Sequence, residues 1–292
     1  MRPKESGGVP AGRERSWLRL RPNRRQLALV YAAAAGLLVV TVWLGGALIG
    51  PEPLSTRLEW RNLAPSAAHP FGTDWLGRDM LARTVKGLAL SIGVGMAASA
   101  ASAAIAALMG LIAASMGKTA DRIVGFLIDL FLSVPHLVTL ILIAFVFGGG
   151  VKGVVIGVSL THWPSLARVI RAEVLQLKTA DYVHISRKLG RPRWRAATGH
   201  MLPHLLPHLL VGLLLLFPHA ILHEAAITFL GLGLSPHQPA IGIILSESMR
   251  YLSTGYWWLA FFPGVSLLLV VRAFDVAGER LRLLLDPRRA SD

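Results

Sequence analysis

Residues 178–203 read KTADYVHISRKLGRPRWRAATGHMLP, and this polar, basic stretch separates two long hydrophobic stretches of the chain. Gly190 suits the end of a short helix, and Pro192 suits the first turn of a second one. Pro203 then returns the chain to apolar sequence. The pattern predicts a protruding elbow of two short helices that docks in a cleft of a soluble partner. An ordinary basic loop between membrane spans is the alternative.

The composition indicates a membrane protein. Hydrophobic residues make up 53% of the 292 residues, charged residues make up 16%, and the mean hydropathy is +0.55. A helix needs about 20 apolar residues to cross a hydrocarbon core of about 30 Å. The net charge of +14 is compatible with nucleic-acid binding, but the basic residues cluster between the apolar runs. The absence of cysteine excludes disulfides, thiol catalysis and cysteine-based metal sites.

The apolar runs predict an all-α membrane protein with six transmembrane helices. Of the 30 basic residues, 23 fall in the two terminal regions and in the segments 116–122 and 168–200. Excess Lys and Arg mark cytoplasmic segments, so we expect both termini and the 168–200 segment in the cytoplasm. The first span is too long for the apolar part of a signal peptide and is expected to remain as an anchor. The predicted spans are 27–49, 88–116, 123–147, 154–170, 205–230 and 258–276.

These spans predict a division of the chain into five parts. A basic cytoplasmic tail covers residues 1–25, the first transmembrane helix covers 26–50, and a periplasmic segment covers 51–87. A five-helix core with the elbow at 178–203 covers 88–284, and a cytoplasmic tail covers 285–292.

The elbow resembles the EAA signature of binding-protein-dependent transport permeases. The usual Glu-Ala-Ala triplet stands here as His184-Ile185-Ser186, whereas the glycine, the spacing and the Leu-Pro pair match the signature. The resemblance implies contact between this segment and an ATPase subunit. The residues that it assigns to ATPase coupling are Asp181, Tyr182, Val183, His184, Ile185, Ser186, Gly190 and Pro203.

Two further segments resemble the C-type membrane subunit of the dipeptide, oligopeptide and nickel ABC importers. Residues 69–79 read HPFGTDWLGRD just before the second predicted span, and residues 224–233 read EAAITFLGLG at the end of the fifth. The similarity covers residues 69–288. The first segment is either a capped, salt-bridged helix start or a contact for a partner. Its GTDxxGRD-like motif consists of Gly72, Thr73, Asp74, Gly77, Arg78 and Asp79.

The resemblance implies the fold and partners of an ABC importer of type I. This chain and a homologous second permease subunit would form the pore in the inner (plasma) membrane of a bacterial-type cell. Two ATPase subunits would bind ATP and Mg²⁺, and an extracytoplasmic binding protein would deliver nickel, a metal chelate or peptides. The chain itself is expected to hold no cofactor and to catalyse no reaction.

The ten histidines bear on the substrate. His219 and His223 lie four residues apart and therefore share one face of the fifth span. Ionisable groups inside a membrane usually face a cavity or a partner. Metal ligation and hydrogen bonding between helices both explain the pair. The predicted pore or substrate residues are His136, His162, His219, His223 and Glu224, and the predicted metal ligands are His219, His223 and His237.

Other functional classes fit the sequence less well. Residues 117–119 read GKT, but a phosphate-binding loop requires glycine where Ile112 stands. His223-Glu224 lacks the second histidine of a zinc protease, because position 227 is Ile227. A stand-alone secondary transporter or channel would need paired membrane carboxylates or inverted repeats. A peptide importer permease with no metal role is the remaining alternative.

Overall fold

The computed structural model describes residues 24–179 and 201–285, together with Ile185, Lys188, Arg195 and Gly199 between them. Within residues 24–179 and 201–285 the chain forms eight α-helices, two short 3-10 turns and no β-strand. The helices are α1 (Arg24–Leu48), α2 (Met80–Ser115), α3 (Lys118–Ser133), α4 (His136–Val146), α5 (Gly150–Lys178), α6 (Leu202–Phe229), α7 (Ile241–Leu252) and α8 (Trp258–Leu285).

The helices have the lengths and apolar character of membrane spans. Five of them, α1, α2, α5, α6 and α8, are each long and apolar enough to cross a bilayer. Helices α3 and α4 supply a sixth span if the bent pair is counted as one. The fold is therefore that of an all-α membrane protein, as predicted. The cytoplasmic placement of the two termini stays a prediction from the charge distribution.

The third predicted span is not one continuous helix. Helices α3 and α4 meet at an angle of 100° across a short break. At this break Val134 is extended, with φ −92° and ψ 141°. A residue before proline is disfavoured in the helical conformation, so Pro135 ends α3 and allows α4 to start in a new direction. The prediction of a single helix over 123–147 was wrong for this reason.

Other helix bounds also differ from the prediction. Helix α2 begins at Met80 rather than Leu88, because the Asp79 side chain caps it by accepting a hydrogen bond from Ala82 N at 2.9 Å. It therefore extends into the segment 51–87 that was predicted to be periplasmic loop. Helix α5 exceeds the predicted 154–170 at both ends and contains Pro164. Helix α7 was not predicted.

Helix α2 is the centre of the bundle and contacts α1, α3, α5, α6, α7 and α8. Its small residues allow these close approaches. Ala98 and Ala106 are fully buried. A Cβ atom added at Gly95 would lie 3.1 Å from Phe217 Cε2 on α6, and one added at Gly110 would lie 2.7 Å from Ile170 Cγ2 on α5. The small-residue run in the sequence is therefore a helix-packing feature at these positions.

We expect Gly110→Ala to destabilise the protein, because the new methyl group would overlap Ile170 and press on the backbone of α5. Overpacking of this kind typically costs about 1–3 kcal/mol. Gly93→Ala is the matched control, since a Cβ atom there meets nothing within 4 Å. Thermal unfolding of the full-length chain in detergent should show a lower midpoint for Gly110→Ala alone. Equal midpoints for the two variants would contradict this account of the α2–α5 contact.

Candidate functional site

The GTDxxGRD-like motif forms a compact turn that leads into α2. Gly72 and Gly77 have φ values of +71° and +73°, a conformation that favours glycine. Thr73 and Asp74 are fully buried. Asp79 caps α2 with one carboxylate oxygen, and its other oxygen lies 2.9 Å from Nδ1 of His69. The motif is therefore a helix start stabilised by polar contacts, with most of its side chains turned inward.

Asp74 is the central acceptor of an ion network that consists of Asp74, Arg78, Arg83 and Glu247. Its carboxylate accepts hydrogen bonds from Arg78 Nε at 2.7 Å and from Arg83 Nη1 at 2.6 Å. Two backbone N–H groups, of Leu76 and Arg78, donate to its other oxygen at 2.9 Å. Arg83 also donates to Glu247 of α7 at 2.8 Å. This Asp74 network joins the start of α2 to α7.

Three histidines from three helices meet inside the bundle. His136 begins α4 directly after the break at Pro135, His162 lies near the middle of α5, and His223 lies on α6. One ring nitrogen from each residue lies within 4.8 Å of the other two. The ring centroids are 4.5 Å apart for His136 and His162, 4.6 Å for His136 and His223, and 5.1 Å for His162 and His223. We call this group the three-histidine cluster.

Hydrogen bonds to the backbone orient two of the rings. His162 is buried and donates from Nδ1 to the carbonyl of Val158 at 3.0 Å, which leaves a lone pair at Nε2. His223 Nδ1 donates to the carbonyl of His219 at 2.7 Å and lies 3.3 Å from His162 Nε2. His136 Nε2 is buried and has no hydrogen-bond partner among the described residues.

The other predicted metal ligands, His219 and His237, lie outside the cluster. Four residues of helix correspond to a rise of about 6 Å, so His219 is one turn away from the level of His223. Its carbonyl accepts a hydrogen bond from Nδ1 of His223 at 2.7 Å. His237 lies in the connection between α6 and α7. Of the three predicted metal ligands, only His223 belongs to the three-histidine cluster, and their role as ligands stays a prediction.

Glu224 has a structural contact of its own. It is fully buried, and its carboxyl group accepts a hydrogen bond from Thr228 Oγ1 at 2.9 Å. Its other oxygen, Oε2, is buried and has no hydrogen-bond partner among the described residues. The Thr228 hydroxyl in turn accepts from Leu234 N at 3.2 Å. Glu224 is thus linked through Thr228 to the connection that follows α6, and it is not part of the three-histidine cluster.

Most of the predicted coupling residues lie outside the described residues. These are Asp181, Tyr182, Val183, His184, Ser186 and Gly190. Ile185 is helical, and 58% of it is exposed. Pro203 lies in the first turn of α6, where its missing N–H group costs no helical hydrogen bond.

Two ion pairs join α3 to the end of α5 that leads into residues 178–203. Arg171 binds Asp121 through two hydrogen bonds of 2.5 and 2.9 Å, and Arg168 lies 3.0 Å from Asp129. Planar, two-bond pairing of Arg with a carboxylate holds the two helices in one orientation. Asp129, an acid within the predicted span 123–147, is therefore partnered.

Comparison with known proteins identifies the family. A family model described as the binding-protein-dependent transport system inner membrane component matches residues 106–291. The chain belongs to this family.

Similar proteins extend the match over almost the whole permease. This chain is 33% identical to the dipeptide transport system permease protein DppC of Bacillus subtilis, and the alignment covers 94% of this chain and 85% of that protein. It is 34% identical to the oligopeptide transport system permease protein OppC of the same organism, with 93% and 88% covered. The fold resembles a chain of the inward-facing MetNI methionine ABC transporter, with a TM-score of 0.58, 18% identity, and coverage of 71% of this chain and 98% of that chain.

These matches establish the class of protein to which the chain belongs. It is a permease subunit of an ABC importer, and it is a transport subunit rather than an enzyme. It is a multi-pass protein of the bacterial inner membrane. Members of this family work with ATPase subunits and with a binding protein.

Three charged residues of these ion pairs were not predicted from the sequence. Arg83 and Glu247 were not singled out, although they complete the Asp74 network across 164 residues of sequence. Arg171 was counted for its charge and not paired with an acid. The spacing of Arg83 could have indicated its role. Arg83 follows the capping residue Asp79 by four residues and therefore lies on the same side of α2.

We expect Asp74→Ala to destabilise the permease strongly, because it would leave the buried Arg83 guanidinium without its closest carboxylate. Removing one member of a buried ion pair typically costs about 3–5 kcal/mol. The matched control is Glu52→Ala, which breaks the pair with Arg57 at a side chain that is 82% exposed. Thermal unfolding of the detergent-solubilised chain should separate the variants clearly. A midpoint for Asp74→Ala that equals that of Glu52→Ala would show that the network contributes little.

Proposed function

We propose that this permease subunit forms half of the translocation pathway of an ATP-driven importer of dipeptides or oligopeptides. The observation that carries the proposal is the match to relatives named for dipeptide and oligopeptide transport over 93–94% of the chain. Nickel and metal chelates were predicted as substrates beside peptides, and the names of these relatives favour peptides.

The proposal includes the partners that the family implies. A homologous second permease subunit would complete the pathway, and an extracytoplasmic binding protein would deliver the peptide. Two ATPase subunits would hold ATP and Mg²⁺ and contact residues 178–203. This chain would bind neither ATP nor Mg²⁺.

Helix α5 is suited to transmit a movement from the ATPase side into the membrane. It extends over 29 residues, a length of about 43 Å, and includes Pro164. Its first residue lies beside the connection after α6, since Gly150 N donates to Gly233 O at 3.0 Å. Its last residue, Lys178, leads directly into the elbow. A displacement of the elbow would therefore move α5 and, through the ion pairs of Arg168 and Arg171, also α3.

The same helix carries the buried polar side chains of Thr161 and His162 near its middle. His162 lies 12 residues after Gly150, which corresponds to about 18 Å of helix. Transport requires the solute to bind differently in the two states of the pore and to be held weakly enough for release. We infer that the α5 segment near His162 changes its exposure to solute when the elbow moves.

We expect peptides to stimulate ATP hydrolysis by the reconstituted complex. A tagged chain would be purified with its co-purifying ATPase, permease and binding-protein subunits and placed in lipid nanodiscs. Di- and oligopeptides should raise the ATPase rate several-fold, whereas Ni²⁺ should not. The double variant His219→Ala, His223→Ala should retain the response to peptides.

Two results would contradict this proposal. Stimulation by Ni²⁺ but not by peptides, lost in the double variant, would indicate a metal importer. Failure of any ATPase to co-purify with the chain would remove the support for an ATP-driven importer.

We expect Ile185→Asp to weaken the association with the ATPase subunits. An exposed isoleucine on the elbow is suited to fill an apolar pocket, and burying such a side chain contributes about 1.5–3 kcal/mol, which is a tenfold or greater effect on affinity. The matched control is Lys188→Gln, an exposed helical position of the same segment. Quantitative pull-down should recover less ATPase with Ile185→Asp alone. Equal recovery from both variants would place the contact elsewhere on the chain.

A further inference from the structure

We propose that His136, His162 and His223 form a binding site for one divalent transition-metal ion between α4, α5 and α6. This site goes beyond peptide transport, because its ligands belong to the permease itself and the proposal does not require the ion to be the transported solute.

The distances of the three-histidine cluster are close to those of a metal site. In a tetrahedral zinc site with nitrogen ligands at about 2.0–2.1 Å, neighbouring nitrogens lie about 3.3 Å apart. His162 Nε2 and His223 Nδ1 are already 3.3 Å apart, and all three ligand atoms lie within 4.8 Å of one another. The cluster therefore needs ring movements on the order of 1 Å to surround an ion.

The hydrogen bond of His162 matches the needs of metal ligation, whereas that of His223 would have to change. A ligating histidine usually donates its other ring N–H to a carbonyl or carboxylate, which fixes the ring and the tautomer. His162 has this arrangement, with Nδ1 donating to Val158 and Nε2 facing the cluster. His223 would bind through Nδ1 after its proton moves to Nε2, which breaks the hydrogen bond from Nδ1 to the carbonyl of His219 and leaves the net charge of the ring unchanged.

His136 supplies an independent reason for a bound cation. Its Nε2 atom is buried and lacks a hydrogen-bond partner among the described residues. A buried polar atom without a hydrogen-bond partner is unfavourable and calls for an explanation. An ion coordinated by this nitrogen would satisfy it.

The ligand set selects a class of ion. Three neutral imidazoles suit Zn²⁺, Co²⁺, Ni²⁺ and Cu²⁺, whereas Mg²⁺ and Ca²⁺ require oxygen ligands. Glu224, the carboxylate next to His223 in sequence, is engaged with Thr228 and does not join the set. Three protein ligands leave a fourth coordination position open to water or to a donor atom of a solute.

A bound ion would join three helices of the bundle directly. Helix α4 starts at His136 immediately after the bend of 100°, and its main packing partner is α5. An ion would add a direct link from α4 to both α5 and α6. We therefore expect metal binding to raise the thermal stability of the permease by mass action.

The test is a Co²⁺ titration of the full-length chain in nanodiscs, purified with an affinity tag that contains no histidine. We expect one Co²⁺ per chain and the visible absorption bands of a tetrahedral cobalt–nitrogen site. His136→Ala, His162→Ala and His223→Ala should each weaken binding at least tenfold. Co²⁺ should raise the unfolding midpoint of the unmodified chain, and EDTA should reverse the rise.

Two control variants separate this ligand set from other histidines. His219→Ala removes the neighbouring ring on α6 and keeps the backbone carbonyl, and His237→Ala removes a ring in the α6–α7 connection. Both should bind Co²⁺ like the unmodified chain. The more conservative His136→Gln keeps a polar side chain, and its loss of binding with an unchanged unfolding midpoint in EDTA would exclude misfolding as the cause.

Several outcomes would overturn the proposal. These are unchanged Co²⁺ binding in the triple alanine variant, an octahedral spectrum, or loss of binding in His219→Ala or His237→Ala. The titration involves neither ATP nor peptide, so its result is independent of the experiment on peptide-stimulated ATP hydrolysis.

Discussion

The bundle depends on the close approach of other helices to α2. Within a membrane, lipid tails are as apolar as leucine side chains, so tight packing rather than the hydrophobic effect holds helices together. Gly95 allows Phe217 of α6 to approach, and Gly110 allows Ile170 of α5 to approach. The positions of α5 and α6 relative to α2 bring His162 and His223 together. The three-histidine cluster is therefore a consequence of small residues on a helix that contributes no ligand to it.

Charged groups are distributed according to the cost of placing them in a bilayer. The Asp74 network gathers four charged side chains where α2 starts and links them to α7. The pairs of Asp121 with Arg171 and of Asp129 with Arg168 join α3 to the far half of α5. Isolated charges inside a membrane are expensive, and pairing reduces that cost. The middle of the bundle instead contains imidazoles, which can be neutral and can still bind a cation.

Hydropathy was sufficient to locate the spans because each contains a long apolar run. Hydropathy did not reveal the bend between α3 and α4. Val134 and Pro135 lie within such a run, and a hydropathy value averaged over many residues hides the effect of a single proline. Helix α7 was missed because its 12 residues are too few for a span and mix apolar with polar residues. The sequence singled out all four of His136, His162, His219 and His223 as pore residues, and only the packing of α4, α5 and α6 shows that three of them meet while His219 lies outside the cluster.

The most direct test of the importer account is the side of the membrane that residues 178–203 face, because these residues can meet an ATPase only in the cytoplasm. The chain contains no cysteine, so Glu59→Cys and Lys188→Cys each introduce a single thiol. A membrane-impermeant maleimide would be added to intact spheroplasts and, separately, to permeabilised ones. The account predicts that Glu59→Cys reacts in intact spheroplasts and that Lys188→Cys reacts only after permeabilisation. Reaction of Lys188→Cys in intact spheroplasts would contradict it.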